Sequence, residues 1–212
     1  MMWRVLFAVA GVLMLAGGPR HPGGSMLEML RHHDWFMAHA LVTLGYGTML
    51  AGLIAFSRTA ANTPALKRWT SFAIAGTALQ TVEMAVHTAA MVDAGNLAAG
   101  HATPVLTTHL TMSMVFYPLF GITTAAFFIK GMRERAIGSP WIVAIGVIGT
   151  VANGIAPILV GLFGWTEARI LFAFMVGIAI WLLLAAMWPA AARRAMAGSP
   201  AAARRDLVDA QA

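Results

Sequence analysis

The chain of 212 residues has no cysteine. That excludes disulfides, thiolate nucleophiles and cysteine metal ligands, so a metal site would draw on His, Asp, Glu or Met. Charge is scarce too: Asp, Glu, Lys and Arg make up 10% of the residues, against about 25% in a typical soluble domain. No polar stretch is long enough to form a soluble domain beside the apolar ones. There is no P-loop, no Gly-x-Ser-x-Gly and no His-Glu-x-x-His, which removes the commonest nucleotide, serine-hydrolase and zinc-protease signatures. Lys67 and Lys130 stand at the ends of apolar runs, so no lysine is placed for a buried Schiff base.

What the chain does have is apolar surface. Hydrophobic residues are 59% of the sequence, and the mean hydropathy is +0.76. They fall into six segments, at about 2–16, 35–57, 69–92, 103–130, 141–163 and 168–188. A helix of roughly 20 residues crosses a hydrocarbon core of about 30 Å, and five of the six reach that length. The first is shorter. Arg4 followed by the run Val5 to Ala16 also has the outline of a signal peptide, but no clean Ala-x-Ala follows, and the segment is read as a retained helix. Gly17-Gly18-Pro19, Pro64, Gly100 with Pro104, Gly138-Ser139-Pro140 and Pro189 punctuate the series. The expected fold is an all-α, polytopic transmembrane bundle of about six helices over residues 1–190. An Ala/Arg-rich cytoplasmic tail follows over 191–212.

The basic residues give an orientation. Arg4, Arg58, Lys67, Arg68, Lys130, Arg133, Arg135, Arg193, Arg194, Arg204 and Arg205 all fall on one side, leaving Arg20, Arg31 and Arg169 on the other. Positively charged loops stay in the cytoplasm, so both termini are expected inside, in a plasma (inner) membrane of bacterial type. The net charge of +6 is thereby explained by topology. The expected partner is the lipid bilayer, with a redox or membrane-complex partner beside it and no nucleic acid.

In this topology all seven histidines lie outside or in the outer half of a helix. His21, His32, His33 and His101 are in outer loops, while His39, His87 and His109 are inside three consecutive spans. Each of these three is about five or six residues from its helix's outer end, roughly 8–9 Å at 1.5 Å per residue. Gly76, Gln80, Glu83 and His87 are spaced 4, 3 and 4 and so share one helical face. Glu83 falls near the bilayer centre, where an ionisable group faces the bundle interior and has a partner or a function. Thr43 and Tyr46 share a face with His39; Ser113 and Tyr117 share one with His109; Asn153 and Pro157 come from the fifth segment. Together these suggest a polar cavity opening outward and narrowing towards Glu83.

The favoured reading is a cofactor site for electron transfer or metal handling. Imidazole suits first-row metals and haem iron, so the cofactor is haem b or a transition-metal ion. His39, His87 and His109 are the ligand candidates, and Glu83 is a ligand or a supporting carboxylate. A haem would use Gly45, Gly47 and Gly76 for room and Arg20, Arg31 or Arg169 for its propionates. Met37, Met84, Met91, Met112 and Met114 in the outer half favour copper among the metals. Alternatives remain open: an enzyme using Glu83 and His87 as an acid–base pair on a lipid-soluble substrate, a transporter or channel subunit, or histidines that only join helices by hydrogen bonds. Asp34 is placed to cap the second segment, Trp35 and Trp165 read as interface anchors, and Glu167 and Arg169 as a helix-terminal charge and its partner.

Overall fold

The computed structural model describes residues 2–188, and the expected tail over 191–212 lies outside them. Among the described residues there is no strand. Eight α-helices follow in order: α1 (Met2–Gly17), α2 (Met26–Arg31), α3 (Trp35–Ser57), α4 (Pro64–Ala89), α5 (Ala94–Ala98), α6 (Pro104–Arg133), α7 (Pro140–Gly161) and α8 (Met175–Met187). Tight 3-10 turns occupy Gly18–Arg20, Ala90–Asp93 and Thr166–Phe174.

Five segments are long and apolar enough to cross a membrane: Met2–Arg20, Trp35–Ser57, Pro104–Arg133, Pro140–Gly161 and Thr166–Met187. The sixth expected span, α4, has 26 residues. Gln80 and Glu83 in its middle, with Lys67 and Arg68 near its start, keep its hydropathy below that of the other five. Its polar stripe is what sets it apart.

The long helices close into a ring in the order α1, α3, α4, α6, α7, α8 and back to α1. Neighbours in sequence are neighbours in space and run antiparallel, so the connections sort to two ends. One end gathers residues 21–34, 90–103 and 162–165; the other gathers 58–63 and 134–139. The second end is tied by Thr63, whose hydroxyl donates to Glu134 Oε2 at 3.2 Å, and by the Lys130–Glu134 pair at 3.6 Å. The ring interior towards that end is filled by aromatic side chains. Trp3 meets Phe7 and Phe56 edge-on with centroids 5.5 and 5.4 Å apart, and Trp181 stacks on Phe128 at 3.7 Å.

Several boundaries differ from the sequence reading. Helix α4 starts at Pro64 rather than near 69, because proline at the first helical position loses no needed N–H and has its φ already set. Helix α6 runs to Arg133; the chain then turns with Arg135 at φ 52° and Gly138 at φ 78°. The short helices α2 and α5 were not foreseen. They lie over the histidine-bearing end, where Leu30, Trp35, Ala90 and Leu106 form a small apolar cluster of their own. Ser25 opens α2 with a capping box: its N–H donates to Glu28 Oε2 at 2.7 Å, and the Glu28 N–H to its hydroxyl at 3.4 Å.

Three local expectations are corrected. Asp34 stands at the N-cap of α3, but its side chain makes no capping bond and turns instead to His33, 3.3 Å away. Trp35 is no interface anchor: it is 1% exposed, and its Nε1–H donates to Thr88 O at 3.2 Å. Trp165, 54% exposed, remains at the surface. Glu167 and Arg169 form no ion pair; the Glu167 carboxylate accepts from Thr166 at 3.4 Å.

Candidate functional site

The 4-3-4 spacing on α4 turns Gln80, Glu83 and His87 into the ring, and Gln80 and Glu83 are both fully buried. From the flanking helices α3 and α6 come His39 and His109, 2% and 7% exposed. The three imidazoles foreseen at one depth do meet. His39 and His87 have ring centroids 4.4 Å apart, and His87 stacks on His109 at 3.8 Å with planes 20° apart. His109 Nδ1 lies 2.6 Å from Glu83 Oε1, and Gln80 Nε2 donates to Glu83 Oε2 at 3.2 Å. With Glu83 ionised, both of its oxygens are satisfied and His109 is the donor.

A fourth imidazole joins from the connection after α1. His21, exposed to the outside of the bundle, sits with its ring 4.8 Å from His39 and 6.5 Å from His87. The result is an unbroken file, His21–His39–His87–His109, running from the surface to a buried carboxylate. Its ligand atoms fall into two compact groups. His21, His39 and His87 each offer a nitrogen within 4.8 Å of the others; Glu83, His87 and His109 do the same within the same limit.

Hydrogen bonds fix which nitrogens remain available. A carbonyl oxygen only accepts, so His39 Nδ1, 2.6 Å from Trp35 O, carries its proton. The same holds for His21 Nδ1, 2.8 Å from Pro22 O. In a neutral imidazole the other nitrogen then holds the lone pair. His39 Nε2 is buried and has no hydrogen-bond partner, and neither has His87 Nδ1. A buried polar atom without a partner costs about 1–3 kcal/mol. These two atoms lie on rings whose centroids are 4.4 Å apart.

The remaining residues named from the sequence surround the file or join helices near it. Thr43 joins α3 to α4, its hydroxyl lying 2.8 Å from His39 O, 3.1 Å from Met84 O and 2.9 Å from Thr88 Oγ1. Ser113 donates back to Leu110 O in its own helix. Tyr117 donates to Met84 Sδ at 3.3 Å and Tyr46 packs edge-on against Phe120 at 5.2 Å, both tyrosines standing near Glu83. Asn153 is buried on α7 with its Oδ1 unpartnered, and makes no hydrogen bond to the imidazoles. The rings touch one another where an open polar cavity was expected.

Of the glycines named as room for a ring cofactor, a side chain at Gly47 would meet only Thr81 Cγ2, at 3.8 Å, but Gly45 and Gly76 are closely packed. A side chain at Gly45 would meet Met14 Cγ at 2.7 Å, and one at Gly76 would meet Thr123 Oγ1 and the Phe120 backbone. Both let helices approach closely. Of the outer-half methionines, Met37 and Met91 are exposed, the Met84 sulfur is engaged by Tyr117, and the Met114 sulfur lies against Gly161.

Two members of the site were missed from sequence. Trp35 lies one helical turn before His39, and its ring covers His39 at 4.0 Å and approaches His87 at 5.3 Å; the i, i+4 spacing was a usable signal. His21 offered none, since its position depends on how the chain doubles back after Pro19. A separate exposed group, His32, His33 and Asp34, stands at the start of α3, with the two rings stacked at 4.4 Å. No family model, curated protein or solved structure matches the chain.

Proposed function

We propose that this protein is a membrane-embedded metal-binding protein. It holds a divalent transition-metal ion in the file His21, His39, His87 and His109, with Glu83 as the charge that balances the ion. The observation that carries this reading is the pair of unpartnered nitrogens, His39 Nε2 and His87 Nδ1, buried on rings 4.4 Å apart. His39 and His21 also have the arrangement usual for metal-bound histidines, one nitrogen donating to an oxygen so that the other is aimed and basic. Nitrogens on one tetrahedral ion at about 2.0 Å lie roughly 3.3 Å apart, so small rotations close groups now within 4.8 Å.

The donor set is imidazole and carboxylate without sulfur, which suits Zn, Cu(II), Ni or Fe(II). Copper is favoured by the general order of divalent affinities, while the sulfurs of Met84 and Met114 are turned to Tyr117 and Gly161. Haem b is the weaker alternative, because imidazoles in direct contact leave no gap for a macrocycle between them. An enzyme acting on a lipid-soluble substrate is disfavoured on the same ground: the rings occupy the space a substrate would need. The aromatic layer around Trp3, Phe56, Phe128 and Trp181 opposes a channel, since it fills the interior beyond the site. With six spans and both termini inside, the file opens to the outer face of the plasma membrane, and metal handling there is the role it fits.

The test is a calorimetric titration of detergent-purified protein with Zn(II) and Cu(II), beside an absorption spectrum. Stoichiometric binding is expected, with a loss of more than about a hundredfold in affinity in the His39→Ala/His87→Ala double variant, beyond what supporting residues contribute. Unchanged affinity in that variant would remove the ligand set, and a Soret band in the spectrum would restore haem.

A further inference from the structure

The two ligand groups share one residue. His87 belongs both to the set with His21 and His39 and to the set with Glu83 and His109. Among the described residues its side chain makes no hydrogen bond, while its ring contacts His39 on one side and His109 on the other. Every other histidine of the file is anchored through Nδ1: His21 to Pro22 O, His39 to Trp35 O and His109 to Glu83. The unanchored ring stands at the junction.

We infer that the file offers a metal ion two positions in sequence, an outer loading position at His21, His39 and His87 and a deeper holding position at Glu83, His87 and His109. His87 is the common ligand that passes the ion from one to the other. This rests on the metal-binding reading above and adds an order and a direction to it.

Charge and exposure distinguish the two. The outer set consists of imidazoles alone, neutral when they ligate, so an ion held there keeps its full double charge. His21 is exposed, and the ion can retain water ligands and exchange with solvent. The deeper set contains Glu83, the one carboxylate in the file, fully buried. A dication in low dielectric is expensive without an opposite charge, and the attraction of a carboxylate grows as the dielectric falls. The deeper position therefore binds more tightly, and the outer one exchanges faster. The aromatic layer beyond leaves the outer position as the route both in and out.

The experiment uses the full chain in detergent with Zn(II), following equilibrium binding by calorimetry and loading by stopped-flow competition with a chromophoric chelator. Three proteins are compared: wild type, Glu83→Gln and His21→Ala. Glu83→Gln keeps the shape of the side chain and an oxygen for His109 to donate to, and His21 is exposed, so both variants are expected to unfold within a few degrees of wild type. Glu83→Gln should lower the affinity at least about tenfold and leave the loading rate close to that of wild type. His21→Ala should slow loading by about tenfold while leaving affinity within a factor of about three, the two effects being separable as on-rate and off-rate changes. If both variants lower affinity alike with no kinetic difference, there is one position and the inference is overturned. If Glu83→Gln binds as tightly as wild type, the deeper position is not the holding one, with the same consequence. A wild-type chain that binds neither Zn(II) nor Cu(II) removes the metal-binding reading itself.

Discussion

His39 illustrates how a ligand is prepared by its own helix. Trp35, one turn earlier, supplies the carbonyl that takes the Nδ1 proton at 2.6 Å and the indole that covers the ring at 4.0 Å. The first contact comes from the backbone and survives substitution; the second needs an aromatic side chain. Trp35→Phe is therefore expected to keep metal affinity within a few-fold. It should cost about 1 kcal/mol of stability, the net worth of the lost Nε1–H bond to Thr88 O. Paired thermal unfolding and metal titration check this; a large loss of affinity with unchanged stability would show that the indole acts on the site directly. At this scale the sequence was informative wherever depth could be counted along a helix. His39, His87, His109 and Glu83 were placed in that way, and they meet. His21 escaped because nothing in residues 18–25 states where a loop returns. Ser113 and Thr43 were overread, since a hydroxyl inside a helix readily donates to the backbone one turn back instead of lining a cavity.

Among the elements, α2 is a helix of only six residues and owes much to its cap. Ser25→Ala is expected to cost about 1 kcal/mol, visible as faster amide exchange over 26–31; exchange at the wild-type rate would show that the cap contributes nothing. The capping bonds from Ser25 hold the Glu28 carboxyl below its ordinary value. A lowered carboxyl stabilises the fold above the unfolded-state value and loses that contribution as the pH falls through the folded one. The amides of α2 should accordingly lose protection on acidification, and less so in the Ser25→Ala variant. Helices α7 and α8 depend on a different device. A side chain at Gly149 would meet the Ile178 N and Phe174 O atoms at 2.8 Å, and one at Gly177 would meet Ile145 O at 2.8 Å. Backbone cannot give way as a flexible side chain does, so Gly149→Val should destabilise by about 1–3 kcal/mol. Thermal unfolding in detergent measures it, and an unchanged midpoint would mean that the two helices separate freely. Hydropathy showed five of the long helices to within about five residues; the last, expected from 168, is 3-10 over Thr166–Phe174 and α-helical only from Met175. Helices α2 and α5 carry too little periodicity in five or six residues to be seen.

For the whole molecule, a ring of sequential neighbours gives one end to the histidines and fills the interior towards the other with aromatics. The proposed orientation puts Arg31 outside and Arg58 inside. The absence of native cysteine makes this directly testable with single-cysteine variants at these exposed positions. Arg31→Cys should react with an impermeant maleimide in intact cells, and Arg58→Cys only after permeabilisation; the reverse pattern would invert the topology. What the sequence could not supply at this scale is closure of the ring, the contact of α8 with α1, because no pattern in either segment names its distant neighbour.

The file of imidazoles is tested most directly by X-ray absorption at the metal edge of Zn(II)- or Cu(II)-loaded protein. At least two imidazole nitrogens at about 2.0 Å are expected, with their multiple-scattering signature lost in the His39→Ala/His87→Ala variant. A spectrum showing only oxygen ligands, unchanged in that variant, would contradict the account.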